Sequence, residues 1–508
     1  MNTDEISLAG RTTPIELGAD EFAEIGHALV DQIADLLSGM GDRRLGPDTD
    51  PAEMRKVLGA DAGLPEAGTD AAGLMRETAD MLIDNSLYNG HPRFFGYITG
   101  APAPIGILGD LLASAVNPNL GGWFLSPMAS EIESQAVRWI AELIGFPKDG
   151  DGVLVSGGNV ANMLGFWAAR AAKAPWDIRA AGMHSAERRT LRVYASAGTH
   201  TWIQKAADLS GMGVDSIRWI EQGAEDCIDV GKLRAAIEAD RASGDDPFMV
   251  VGTAGSVSTG AVDDLPALRE LCDEFNLWLH ADGAYGAFAA AADNVPPELK
   301  AIALADSVAL DPHKWLYAPL EAGCVLVRDR DALLAAFSYR PEYYRFQEEE
   351  GVNFFERGFQ NSRGFRALKV WLQLKQVGRA GYQQMIEEDI ELARAFHGLA
   401  VEHTHLEAFT QGLSITTYRY VPTDLAERSR EPAVLEYLNA LNQGIQDAMG
   451  KGGQAFVSNA LIGEIYALRM CVVNFRTALE DVVALAEISV ELGQGLDRSM
   501  RPDALRDG

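Results

Sequence analysis

The sequence predicts an α/β protein whose core is a mainly parallel, seven-stranded sheet with helices on both faces. Between about residues 152 and 330, short apolar runs alternate with stretches whose apolar residues repeat at helical spacing. The runs are apolar throughout instead of alternating, which is typical of parallel strands buried on both faces. Ligands of such sheets bind at the carboxyl ends of the strands, so functional residues are expected there.

Seven apolar runs are the candidate strands, at residues 152–155, 191–195, 216–220, 248–252, 277–280, 307–310 and 324–327. Helices are predicted between most of them, at 160–173, 201–211, 229–242 and 263–275. A helix that crosses back over the sheet returns the chain to the same edge, so consecutive strands run parallel.

Three regions are expected because a chain of 508 residues is too long for one core. Residues 1–102 contain two helical patterns whose apolar faces need a partner, for which a second subunit is expected. Residues 103–398 form the large domain around the sheet. Residues 399–508 mix β-like runs at 413–420 and 467–474 with helices, as in a small α+β domain.

Composition excludes several classes of function. The formal charge of -30, from 73 acidic and 43 basic residues, would repel nucleic acid. No run of 18 apolar residues predicts a membrane span, and residues 1–6 lack the features of a signal peptide, so a cytoplasmic protein is expected. The four cysteines are scattered without a CxxC pair, which predicts reduced core thiols and no metal site.

Polar residues follow three of the candidate strands. The run ending at Leu310 stops at an Asp-Pro-His-Lys corner, and a lysine in low dielectric offers a nucleophilic amine for a Schiff base. Gly157 and Gly158 form a turn into a helix, where backbone amides can bind a phosphate. Asp282 ends another strand among small residues that leave room for a flat ring. Each feature alone has a structural alternative, such as a surface lysine, a tight connection or a turn cap.

Together, a phosphate cradle, an aspartate and a lysine at three strand ends fit pyridoxal phosphate. Asp282 would keep the pyridine nitrogen protonated, and Lys314 would bind the aldehyde carbon. His200 lies after a fourth strand and before a helix, where an imidazole can stack on the ring and exchange protons near the reacting carbon.

These residues resemble those of the group II pyridoxal-phosphate-dependent amino-acid decarboxylases, which include aromatic-L-amino-acid, glutamate, histidine and diaminobutyrate decarboxylases. The resemblance extends from His91-Pro-Arg-Phe-Phe95 to the segment 468–476, and Asp311-Pro-His-Lys-Trp315 is its most specific motif. It implies the fold type I of pyridoxal-phosphate-dependent transferases and a homodimer with active sites at the subunit interface.

The resemblance also implies residue roles, with Lys314, His200 and Asp282 catalytic. The cofactor-binding set that it implies is Gly158, Asn159, His200, Ser256, Asp282, Ala284, Asp311, His313 and Lys314. Ser256 is included because Val257 stands where aromatic-specific members carry a threonine near the ring hydroxyl. The implied substrate pocket is Tyr97, Trp123, Phe124 and Phe354, partly from the neighbouring subunit, with no metal.

The expected reaction is decarboxylation of an L-amino acid with an aromatic or apolar side chain to the amine. Counting back without gaps from Phe365 places Phe354 where the family often has the tyrosine that delivers the last proton. That phenylalanine favours an alternative in which oxygen intercepts the intermediate and an aldehyde forms, unless Tyr343, Tyr344 or His200 supplies the proton. An aminotransferase is a further alternative. A non-catalytic binding protein is disfavoured because it would not need Lys314, Asp282 and His200 together.

Overall fold

The computed structural model describes residues 13–183, 189–223, 226–339 and 351–506. Its helices in the first half are α1 (Ala19–Ser38), α2 (Pro51–Leu58), α3 (Ala71–Asp84), α4 (Pro104–Val116), α5 (Pro127–Leu143), α6 (Gly158–Lys173), α7 (Ile178–Ala181), α8 (Trp202–Leu209) and α9 (Val230–Ala242). Those in the second half are α10 (Leu265–Glu274), α11 (Pro297–Lys300), α12 (Ala332–Phe337), α13 (Ala367–Glu402), α14 (Pro432–Gly452) and α15 (Leu479–Met500).

The strands form one large and one small sheet. The large sheet contains β2 (Asp151–Val155), β3 (Leu191–Ser196), β4 (Ile217–Ile220), β5 (Asp246–Thr253), β6 (Trp278–Asp282), β7 (Ser307–Leu310) and β8 (Gly323–Val327). The small sheet contains β1 (Phe94–Phe95), β9 (Leu406–Gly412), β10 (Ile415–Tyr420), β11 (Phe456–Ile462) and β12 (Ile465–Cys471).

The large sheet confirms the predicted fold class, with seven strands in the order β2-β8-β7-β6-β5-β3-β4. Only β8 is antiparallel to its neighbours, because the chain returns from β7 through the Asp311–Lys314 corner without a crossover helix. Successive residues of β5 lie in different cores, with Val250 on one face and Met249 and Val251 on the other. Both faces are therefore buried, as the uniformly apolar runs predicted.

The small sheet was only partly predicted. The β-like runs at 413–420 and 467–474 correspond to β10 and β12, whereas β9 and β11 were missed. Both missed strands are only partly buried and carry mixed residues, so they gave no apolar run. Phe94 and Phe95 pair in parallel with β11, so the end of the predicted N-terminal region belongs to the sheet of the C-terminal region.

The N-terminal helices leave many apolar side chains on the surface of a single chain. Helices α1 and α2 have no buried residue, and Phe22 and Leu82 are about 60% exposed. Along α4, Leu108, Leu111 and Val116 are more than half exposed. Within the described ranges, no helix is both long enough and apolar enough to span a bilayer.

A buried ion pair fixes the segment that precedes α13. The Arg363 guanidinium pairs with the Glu133 carboxylate of α5, and both side chains are almost completely buried. Arg363 also donates to the backbone oxygens of Leu120 and Leu154, and it lies 4.7 Å from the centre of the Phe354 ring. This pair joins α5 and β2 to the segment that contains Phe354 and Arg363.

Replacing Arg363 with methionine should lower the free energy of unfolding by about 3–5 kcal/mol, because the buried Glu133 charge would lose its partner. Denaturant unfolding measures the change. In the double variant Glu133→Gln with Arg363→Met, no charge is left unpaired, and much of the lost stability should return. Equal stability of the single variant and the wild type would contradict this role for the ion pair.

Candidate active site

A cavity of about 390 Å³ lies at the carboxyl ends of the parallel strands, a size that suits a small molecule. Its walls include residues from both sheets. Eight of the residues singled out in the sequence line it, namely Tyr97, Gly158, Asn159, His200, Asp282, Ala284, Asp311 and Lys314. The structure therefore brings together the three strand ends that the sequence identified separately.

The glycine turn presents the open end of α6 to the cavity. Gly157 has φ of 113°, which favours glycine, and no side chain caps the helix. A Cβ atom on Gly158 would lie 2.6 Å from Asp311 Oδ2 and 3.0 Å from Ala284 Cβ, so a larger residue would not fit. Unpaired amides at a helix N-terminus, together with the helix dipole, favour an anion at this point.

Asp282 ends β6 and is held through both of its carboxylate oxygens. Its Oδ1 accepts a hydrogen bond from Asn162 Nδ2 over 3.2 Å, and its Oδ2 accepts one from Trp202 Nε1 over 2.7 Å. The side chain is buried, yet it borders the cavity. Donors on both sides fix the carboxylate in position.

The lysine corner is compact and internally paired. Lys314 Nζ lies 3.1 Å from Asp311 Oδ2, while Asp311 Oδ1 is buried and has no hydrogen-bond partner among the described residues. His313 lies behind Asp311 and does not line the cavity. Its Nδ1 is 2.7 Å from the Ala322 carbonyl oxygen, and burial lowers the pKa of His313.

The residues after Lys314 are anchored to helix α13. Trp315 Nε1 and the Tyr317 hydroxyl both donate to Asp389 Oδ2, over 3.0 and 2.8 Å. The Trp315 ring also stacks on Tyr285, with centroids 4.8 Å apart. Burial raises the pKa of Asp389 to about 7. These contacts fix the backbone on the C-terminal side of Lys314.

Four other predicted residues do not line this cavity. Ser256 is directed elsewhere, since its hydroxyl lies 2.9 Å from the Thr259 hydroxyl. Trp123 donates through Nε1 to Glu131 Oε1 over 2.8 Å, and Phe124 is 66% exposed. Phe354 is only 2% exposed and packs in the core beneath β2. Phe354 therefore lies outside the cavity of its own chain, because Arg363 and the core hold its ring.

Among the cavity-lining residues that sequence reasoning missed, three polar ones stand out. Asn162 lies one helical turn after Gly158, on the same face of α6, and that spacing was a usable signal. Thr253 ends β5, and its buried hydroxyl has no partner in the described part of the chain. Arg469 is a charged residue within the otherwise apolar strand β12, and such a residue is rarely buried without a function or a partner.

Arg469 borders the cavity from the small sheet. Its Nη1 donates to the Tyr97 carbonyl oxygen over 3.1 Å and to Ser458 Oγ over 2.7 Å. Its Nε and Nη2 atoms are buried and have no acceptor among the described residues. A guanidinium with unused donors suits a carboxylate ligand.

The residues present fit pyridoxal phosphate. The open N-terminus of α6 suits the phosphate, and the Gly158 position admits no side chain. Asp282 suits a protonated ring nitrogen, and Lys314 supplies the primary amine that binds an aldehyde.

Comparison with known proteins agrees with this fit. The profile of the pyridoxal-dependent decarboxylase conserved domain matches residues 51–416. The aromatic-L-amino-acid decarboxylase of Bacillus atrophaeus is 33% identical over 475 residues, which cover 93% of this chain and 95% of the relative. The phenylacetaldehyde synthase of a Rosa hybrid cultivar is 27% identical over 468 residues, with 90% of each chain covered.

A solved structure gives the same result. The crystal structure of Oryza sativa TDC with PLP and tryptamine matches with a TM-score of 0.86 and 27% identity, covering 96% of this chain and all of that one. The family profile spans more than half of the chain, and the fold and cavity are those that its chemistry needs. The chain therefore belongs to the pyridoxal-dependent decarboxylase family and is a pyridoxal-phosphate-dependent carboxy-lyase.

Proposed function

We propose that this enzyme decarboxylates an aromatic L-amino acid and releases the corresponding amine and carbon dioxide. The observation that carries the proposal is the single cavity lined by Gly158, Asp282 and Lys314. The aromatic substrate class is supported by the Bacillus atrophaeus relative and by the tryptamine in the Oryza sativa structure.

The residues of the large sheet hold the cofactor in this proposal. Lys314 binds its aldehyde carbon, and the amides of Gly158 and Asn159 bind its phosphate. Ala284 packs against the ring, while Asp282 holds a proton on the ring nitrogen. Bound pyridoxal phosphate supplies a positively charged ring that accepts the electron pair left when carbon dioxide departs.

The small sheet supplies the substrate side of the site. Arg469 binds the substrate carboxylate through the guanidinium nitrogens that have no acceptor among the described residues. Tyr97 lies beside it on the cavity wall and is 60% exposed, so its ring is available to an aromatic side chain. Contacts from Arg469 and Tyr97 orient the substrate relative to Lys314.

His200 is the proposed donor of the final proton to the α-carbon. It lines the cavity and is exposed to it. The alternative donors Tyr343 and Tyr344 lie outside the described residues. Phe354, which had favoured the aldehyde alternative, is buried against Arg363 and offers no support for that reaction. Amine formation is therefore the proposed outcome.

We also propose that the enzyme acts as a homodimer, with a second copy covering the exposed apolar side chains of α1, α3 and α4. Trp123 and Phe124 lie outside the cavity of their own chain, so in this arrangement they contact the partner's substrate. We keep the division at residues 1–102, 103–398 and 399–508 as part of the same proposal. The mass of the protein in solution tests the dimer.

Borohydride reduction of the protein with bound cofactor should link pyridoxal phosphate covalently to Lys314. The Lys314→Ala variant should show no such linkage, and its activity should fall by about a thousandfold or more. Mass spectrometry of the reduced, digested protein locates the label. Lys205→Ala removes an exposed lysine from α8 and is the control, which should retain both properties. Labelling of the Lys314→Ala variant at wild-type level would disprove the assignment.

Assay of aromatic L-amino acids under air should yield one amine for each carbon dioxide released, without hydrogen peroxide or aldehyde. The amine follows because a proton donor, His200, lines the cavity. Chromatography together with a peroxide assay measures the products, and an added 2-oxo acid should gain no amino group. Stoichiometric peroxide and aldehyde would establish the alternative reaction instead.

Arg469→Met should raise KM for the amino acid by about tenfold or more, because a charge-assisted contact to the carboxylate is lost. The amine product has no carboxylate, so its inhibition constant should be unchanged. Arg469→Lys keeps the charge but not the paired donors of the guanidinium, so its KM should lie between those of the wild type and Arg469→Met. A parallel loss of amine binding would mean that Arg469 only maintains the shape of the site.

A further inference from the structure

Five side chains on and behind the cavity wall form one continuous hydrogen-bonded chain that ends at Asp282. Trp278 Nε1 donates to Ser307 Oγ over 2.8 Å, and that oxygen lies 2.7 Å from His280 Nδ1. His280 Nε2 lies 2.7 Å from Asn162 Oδ1. Asn162 Nδ2 then donates to Asp282 Oδ1 over 3.2 Å. All five are buried, and His280 and Ser307 are completely inaccessible to solvent.

The partners of Asn162 fix the direction of this chain. Its Nδ2 faces two acceptors, the Gly158 carbonyl oxygen at 2.9 Å and Asp282 Oδ1. The amide must therefore present Oδ1 to His280. Because a carbonyl oxygen only accepts, the proton between the two residues belongs to His280 Nε2.

The directions of the remaining hydrogen bonds follow from the same count of donors and acceptors. A neutral imidazole has one N–H, so with Nε2 protonated its Nδ1 accepts the hydroxyl proton of Ser307. The indole of Trp278 can only donate, and it satisfies the Ser307 oxygen. Burial lowers the pKa of His280 to about 4, which agrees with a neutral ring. Every donor in the chain therefore points toward the Asp282 carboxylate.

Packing restricts the His280 ring on two sides. A Cβ atom on Gly165 of α6 would lie 2.7 Å from His280 Cε1, so this glycine makes room for the ring. On another side the Trp202 ring meets it edge-on, with centroids 5.6 Å apart. Trp202 also donates to Asp282 Oδ2, so packing and hydrogen bonding act on the same carboxylate.

We propose that His280 is a positioning residue for the cofactor, which acts as a neutral Nε2–H donor that locks the Asn162 amide toward Asp282. This inference rests on the proposed function, in which the Asp282 carboxylate pairs with the protonated ring nitrogen of the cofactor. Without the imidazole donor, the buried Asn162 Oδ1 loses its hydrogen-bond partner, and the amide is held less firmly against Asp282. The carboxylate would then hold the ring nitrogen less well.

The test measures pyridoxal phosphate binding and the visible absorbance of the bound cofactor in the intact protein. His280→Phe fills the space without a donor, and it should raise the cofactor dissociation constant by about tenfold or more and change the absorbance. His280→Gln keeps an N–H toward Asn162 and should remain closer to the wild type. Asp282→Asn is the reference for complete loss of the carboxylate.

Two further variants separate this role from simple packing. Phe248→Leu weakens the core at the far end of β5, and it should lower the melting temperature without altering the absorbance. Ser307→Ala removes the hydrogen bond to His280 Nδ1, so it should also raise the cofactor dissociation constant. This variant tests the role of His280 if His280→Phe does not fold. If His280→Phe and Ser307→Ala both kept the cofactor affinity and the absorbance of the wild type, the inference would be overturned. Failure of the wild-type protein itself to bind pyridoxal phosphate would instead refute the proposed function.

Discussion

The parallel pairing of β6 between β5 and β7 is the constraint on which the site depends. Its register sets Asp282 beside Thr253 on one side and beside Ala309 on the other. Because the strands run in the same direction, their carboxyl ends reach the same edge of the sheet, where β7 continues into the lysine corner. The strand direction therefore places the cavity at this edge, where the residues that follow neighbouring strands lie close enough to line it together.

Buried polar contacts then fix the residues that the strand ends deliver. Asp282 is held from α6 by Asn162 and from α8 by Trp202, whereas the lysine corner is held from α13 by Asp389. Buried polar groups are costly unless they are paired, so each of these contacts restricts its partners to one geometry. Positions at the site are thus set by contacts from three helices, α6, α8 and α13.

The two sheets divide the work of the proposed site. Residues at the strand ends of the large sheet would hold the cofactor, and the small sheet adds Arg469 and Ser458 to the cavity wall. Phe94 and Phe95 bring Tyr97 to that wall by pairing with β11. In the proposed arrangement, changes in the small sheet and in the N-terminal region would alter substrate choice while the cofactor side stays intact.

The sequence by itself determined the seven-stranded, mainly parallel sheet and the three strand ends with Gly158, Asp282 and Lys314, because apolar runs and abrupt polar corners are local signals. It did not show that Ser256 and Phe354 lie outside the cavity, and it did not identify Asn162 or Arg469. Those outcomes depend on partners distant in the chain: Arg363 holds the Phe354 ring, and Asp282 and His280 orient Asn162. Only the tertiary structure decided them, because each hydrogen bond or ring contact joins residues that are far apart in the sequence, and a local sequence pattern carries no information about such pairs.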